Sequence, residues 1–150
     1  MQRILFVCTG NTCRSPMAEA ILKNKNIDGV EAKSSGIFAI NGGDASTNAK
    51  QVLVENKIEH QHQSNSLTHK EVEWATLILT MTSSHKAAIA ANFPAAAQKT
   101  FTLKEFIGED VDGDVSDPFG GDINSYRDTF NELEKLIDAA IIRLKEKPST

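Results

Sequence analysis

The sequence predicts an α/β fold: a single doubly wound, four-stranded parallel sheet with helices on both faces and a phosphate-binding loop after the first strand. Three observations carry this. Ile4 to Val7 is a continuous apolar run, as expected of a central parallel strand covered on both faces. Short β-rich runs then alternate with helical periodicity along the chain, with no repeat, low-complexity tract or linker between them. Finally, 150 residues with 40% hydrophobic content suffice for one core, so residues 1–150 are expected to form one domain.

The elements follow in order. After the first strand, "CTGNTCRSP" (residues 8–16) reads as a loop, and a helix from about Pro16 carries Met17, Ala18, Ile21 and Leu22. "VEAKSSG" supplies the second strand, and 48–57 a helix with Val52 and Leu53 on one face. Thr68 and Glu71 have capping-box spacing, so another helix starts there. "TLILTM" reads as the third strand, 84–92 as a helix closed before Pro94, and "TFTL" as the fourth strand. From Ile123, apolar residues at Tyr126, Phe130, Leu133, Ile137, Ile141 and Leu144 mark a long amphipathic helix.

A net charge of −4 argues against a nucleic-acid or anionic-membrane partner, both of which favour clustered Lys and Arg. "RILFV" at the N-terminus lacks the pattern of a secretory signal, and no apolar run approaches bilayer length, so a soluble cytoplasmic protein is expected. Two cysteines, Cys8 and Cys13, are too few for a disulfide scaffold and point to chemistry or redox sensing in a reducing compartment.

In a doubly wound sheet, ligands bind at the carboxyl ends of the strands, where the first loop lies. Gly10 is expected to let the backbone bend so that N–H groups from Thr9 to Arg14 converge on an anion. Pro16 in a first helical turn adds the positive end of a helix dipole. Arg14 offers a planar, bidentate cation for a tetrahedral oxyanion. The same field favours the thiolate of Cys8, which becomes a nucleophile inside an oxyanion cradle. That combination suits phosphoryl transfer, with no cofactor and no metal required.

The pattern C-x5-R-S-P after an apolar strand, with "DPFGG" at 117–121 before the last helix, resembles the low-molecular-weight protein tyrosine phosphatase family across the whole chain. The resemblance implies that Cys8 attacks phosphorus, that Arg14 clamps the phosphoryl oxygens and that Ser15 stabilises the thiolate. It further implies that Asp117 protonates the leaving group and then activates water. Asn11 matches the asparagine that shapes the loop, and Ser34 and His62 match groups that brace it. Thr9, Gly10, Thr12 and Cys13 complete the loop's substrate-binding set.

Tyrosine-directed members carry an aliphatic residue before the second cysteine and paired tyrosines after Asp-Pro. Here Thr12 and Phe119-Gly120 stand at those points, which resembles the bacterial protein arginine phosphatase branch. A phosphoguanidinium brings N–H donors that Thr12 and Asp117 are able to accept, and Phe38 with Phe119 is expected to pack on its plane. Phosphorylated proteins, phosphoarginine foremost, are therefore the expected partners. Three alternatives stay open: a tyrosine phosphatase with the same chemistry, a phosphoprotein-binding module without turnover, and Thr12 as β-branched filler.

Other motifs do not complete. "GNTCRS" lacks the final lysine of a nucleotide P-loop. Asp110, Asp112 and Asp114 suggest a calcium loop, yet Val115 stands where glycine is needed and Gly121 where the bidentate glutamate belongs. His60 and His62 form a possible metal pair, but no neighbouring cysteine or carboxylate cluster in the sequence completes it, and no metal is expected.

Overall fold

The computed structural model describes residues 1–108 and 114–146. Four parallel strands, β1 (Gln2–Cys8), β2 (Val30–Gly36), β3 (Leu77–Thr80) and β4 (Thr100–Thr102), lie in the order β2-β1-β3-β4. The helices are α1 (Arg14–Asn24), α2 (Thr47–Glu55), α3 (His69–Trp74), α4 (Ser83–Asn92), α5 (Leu103–Phe106) and α6 (Ile123–Glu146). A 3-10 turn, Pro94–Lys99, precedes β4. The sheet is doubly wound: the chain leaves β1 toward β2 on one side and returns to β3 on the other, so the end of β1 is the switch point.

Alternation along the strands divides the core. Ile4, Phe6 and Cys8 of β1 join Leu77 and Leu79 of β3 and Met81 against the apolar faces of α1, α2, α5 and α6. Leu5, Val7 and Ile78 point the other way, onto Val72 of α3, Ile89 of α4 and Ala96. Trp74 packs on this second layer, with the Lys33 ammonium 4.6 Å over its ring. Full burial of each β1 residue from Ile4 to Val7 contributes about 1.5–3 kcal/mol, so the strand that carries the loop is firmly anchored in the core.

Helix ends differ from the sequence expectation in ways the caps explain. Helix α1 begins at Arg14, which places Pro16 third in the helix, among the N–H positions that have no intrahelical acceptor. Helix α2 runs 47–55, earlier than expected, because the Ser46 side chain accepts from Ala49 N (3.2 Å) at its start and Lys57 takes a left-handed φ of 59° beyond its end. Thr68 and Glu71 form the anticipated capping box of α3. Leu103 leaves the fourth strand to begin α5, capped by Thr102 and Glu105. Both α5 and the 3-10 turn are absent from the sequence reading. Of the acidic run, Asp110 and Asp112 lie outside the described residues, while Asp114 accepts from the amide of Ser83 at the start of α4.

Candidate active site

The loop between β1 and α1 is shaped by its carbonyls. Cys8 O accepts from Ile37 N (3.0 Å), Thr9 O from Phe38 N (2.8 Å), Thr12 O from Ser46 N (2.9 Å) and Cys13 O from Met17 N (3.2 Å). Asn11 O accepts from Ser64 Oγ and His62 Nε2, both at 2.8 Å. A trans peptide points its N–H opposite its C=O, so anchoring these carbonyls outward turns the amides inward. Among the described residues, no backbone carbonyl takes the amides of 9–13.

The bend differs from the expected one. Asn11, not Gly10, carries the positive φ (56°), and a Cβ on Gly10 would meet only Thr12 Oγ1 at 3.6 Å, an ordinary contact. Asn11 holds its left-handed conformation through its own side chain. Its Nδ2 donates to Ser15 Oγ (2.8 Å) and Ser34 Oγ (2.9 Å), and its Oδ1 accepts from Asn65 N (2.8 Å). The glycine that the geometry does require is Gly36: a Cβ there would fall 2.6 Å from Thr9 O and 2.8 Å from Asn11 N.

Cys8 Sγ lies at the end of β1, 2.8 Å from Ser15 Oγ. Because that hydroxyl already accepts from Asn11, its own hydrogen is free to point at the sulfur. Arg14 is buried at the first position of α1 and donates through Nη1 to Val115 O (3.0 Å). Its Nη2 stands 3.6 Å from Asp117 Oδ2, and Asp117 is 53% exposed, open to both solvent and cleft. Asp117 Oδ1 accepts from Phe119 N (3.0 Å), closing the turn at Asp-Pro. The cleft, about 210 Å³, is lined by Cys8, Thr9, Gly10, Thr12, Cys13, Arg14, Asp117 and Phe119.

Three expected residues stand elsewhere. Asn11 and Ser15 are fully buried behind the loop and shape it without lining the cleft. Phe38 is 80% exposed and sits beside a neighbouring groove with Ile37, Leu67 and Phe93, because its amide is tied to Thr9 O and the chain turns away from the cleft there. Ser34 and His62 do contact Asn11.

Several partners have no local signal in the sequence. His85, near the start of α4, places Nε2 2.9 Å from Thr9 Oγ1. Burial, reinforced by the Arg14 charge, pushes its imidazole down to about 4, so it is neutral at neutral pH. Tyr126 of α6 sets its hydroxyl 3.3 Å from Cys13 Sγ, and burial raises its phenol above the ordinary value. Glu19 of α1 accepts from Ser34 Oγ (2.5 Å) and meets His60 and His62 behind the loop. The carboxylate that meets the histidine pair, Glu19, is thus brought in from α1 by folding.

A thiol, a guanidinium and a carboxyl group around an anion-sized ring of amides define a phosphoryl-transfer site of the cysteine-dependent kind. The family model for low molecular weight phosphotyrosine protein phosphatase matches residues 3–149, and the chain belongs to that family. It is 56% identical over 148 residues to a protein-arginine-phosphatase of Geobacillus stearothermophilus, covering 99% of this chain and 97% of the relative. Among solved structures it superposes with a TM-score of 0.94 on the YwlE arginine phosphatase of Geobacillus stearothermophilus, at 54% identity over 97% of this chain and 94% of that one. A second, at 43% identity and a TM-score of 0.91 over 97% of each chain, is a cysteine-to-serine mutant of YwlE arginine phosphatase with a phosphorylated active-site serine.

Proposed function

We infer that this chain is a protein phosphatase that hydrolyses phosphoarginine residues through a cysteinyl-phosphate intermediate. The observation that carries the reading is the convergence of Cys8, Arg14 and Asp117 on one small cleft. The Cys8 thiolate attacks phosphorus while the bond from phosphorus to the guanidinium nitrogen breaks, and the Asp117 carboxyl delivers its proton to that nitrogen. Arg14 and the loop amides hold the three equatorial oxygens. Water then attacks the cysteinyl phosphate, Asp117 takes its proton, and the S–P bond breaks to release inorganic phosphate. The names of the two arginine phosphatase relatives support this substrate, and the phosphorylated serine of the second supports a covalent route. The expected partners are phosphorylated proteins of the cytoplasm. Among the described residues no helix is long and apolar enough to cross a membrane.

The second reading, hydrolysis of phosphotyrosine by the same steps, is favoured by the family description. Side-by-side turnover of phosphoarginine and phosphotyrosine peptides separates the two: a higher kcat/KM on phosphoarginine is expected, and the reverse order makes the enzyme a tyrosine phosphatase. Cys8→Ser should abolish turnover of both. Asp117→Ala should slow a poor leaving group roughly 10²–10⁴-fold and a nitrophenolate far less. Near-native turnover by Cys8→Ser would remove the covalent mechanism.

A further inference from the structure

We propose that Glu19, His60 and His62 form a binding site for one divalent cation of the zinc class, behind Asn11 and outside the substrate cleft. His60 Nε2 stands 3.9 Å from Glu19 Oε2, and His62 Nδ1 stands 3.8 Å from Glu19 Oε1. The three donor atoms lie within 4.8 Å of one another. All three side chains are buried, at 6%, 4% and 9% exposure for His60, His62 and Glu19. Both contacts are too long for hydrogen bonds, and among the described residues His60 Nε2 has no partner although it is buried.

The orientation of His62 is the second argument. Its Nε2 donates to the Asn11 carbonyl at 2.8 Å, because a carbonyl only accepts, and Nδ1 is therefore the ring atom that faces the Glu19 carboxylate. One nitrogen from each ring and the oxygens of one carboxylate thus converge on a single buried gap, and a cation between them would be shared by all three side chains. The remaining N–H of a metal-bound imidazole is characteristically given to a carbonyl, and His62 already has that arrangement.

The spacing fits a small ion after modest closure. Donors about 2.0–2.1 Å from a tetrahedral zinc stand about 3.4 Å apart, a short side-chain movement from 3.8 and 3.9 Å. Two imidazoles and one carboxylate suit zinc and its neighbours, whereas calcium and magnesium favour oxygen-only shells of six or more. Lys23 is the resident competitor: its ammonium lies 2.6 Å from Glu19 Oε2, but its side chain is half exposed and free to swing out. Ser34 stays on Oε1 and keeps the carboxylate aimed. The cation enters from the cleft bordered by residues 42–44 and 60–63, and water fills the fourth position. Once bound, it fastens the segment that carries His62 and Ser64 to α1, behind the phosphate loop.

The test is equilibrium dialysis of Zn²⁺ against protein carrying Cys8→Ser and Cys13→Ser, which removes the thiols as rival ligands. One equivalent per chain is expected, together with a Zn²⁺-dependent rise in melting temperature. His60→Ala leaves no hydrogen-bond partner stranded; it should fold and weaken Zn²⁺ binding at least 10-fold. Lys23→Met should tighten it. The absence of stoichiometric binding, an unchanged affinity in His60→Ala, or an unchanged affinity in Lys23→Met would each overturn the site.

Discussion

At Gly36 the close approach of two backbones makes a single methyl group intolerable. The Cβ would collide with Thr9 O and Asn11 N, which are backbone atoms of the phosphate loop and not flexible side-chain ends. Gly36→Ala should therefore leave the sheet folded but displace the loop, lowering kcat/KM by an order of magnitude or more while circular dichroism stays near native. Full activity would show that the loop yields freely. His85 makes a different prediction. Its folded value is about 4 against 6.5 when unfolded, so between these pH values the unfolded chain binds the extra proton. Its neutral burial thus costs nothing above pH 6.5, and stability falls as pH drops toward 4, by up to roughly 3 kcal/mol at the acid end. Denaturant titrations across this range should show a shallower acid limb for His85→Gln than for wild type; parallel curves would assign the limb to other groups. Cys8, Arg14 and Asp117 were legible in the sequence because their motifs are local. Gly36, Glu19 and His85 were not, because their contacts exist only where the chain crosses itself.

The phosphate loop, taken as an element, separates into a frame and a rim. Its carbonyls are held by residues from β2's exit, α2's cap and the 62–64 segment, and Asn11 ties its interior. Thr12 belongs to the rim: among the described residues its hydroxyl makes one weak hydrogen bond, 3.6 Å to Cys13 Sγ, and the side chain lines the cleft. Thr12→Ile should spare the frame, remove an acceptor for a phosphoguanidinium and add apolar surface for an aromatic phosphoester. Loss of one hydrogen bond to a charged group corresponds to roughly 10- to 150-fold in kcat/KM on phosphoarginine, with phosphotyrosine hydrolysis held or raised. An unchanged ratio of the two efficiencies would make Thr12 filler. Element type was readable where periodicity ran long, as in α6, and where β1 was wholly apolar. Ends were less so, since Ser46 captures α2 one residue early, and α5 is too short to show a period even though Thr102 and Glu105 carry its cap.

Across the whole molecule, the cleft joins distant parts of the chain: residues 8–14 supply the thiol and guanidinium, 115–119 the carboxyl and one wall, and α6 the hydroxyl beneath Cys13. A ligand that bridges these parts stabilises all of them together. Inorganic phosphate at 100 times its dissociation constant should add about 2.7 kcal/mol of stability, read as a rise in melting temperature, and Arg14→Ala should remove most of it. An equal rise in both proteins would locate the anion elsewhere.

The two faces of the sheet also differ in their chromophores. The chain has one tryptophan and one tyrosine. Trp74 lies in the α3–α4 layer beneath Lys33, while Tyr126 lies in the opposite layer against Cys13. Indole emission therefore watches the layer away from the cleft, and phenol absorbance watches the layer beneath it. A single unlabelled sample reports on both faces at once, so loosening around the thiols can be told apart optically from melting of the whole sheet.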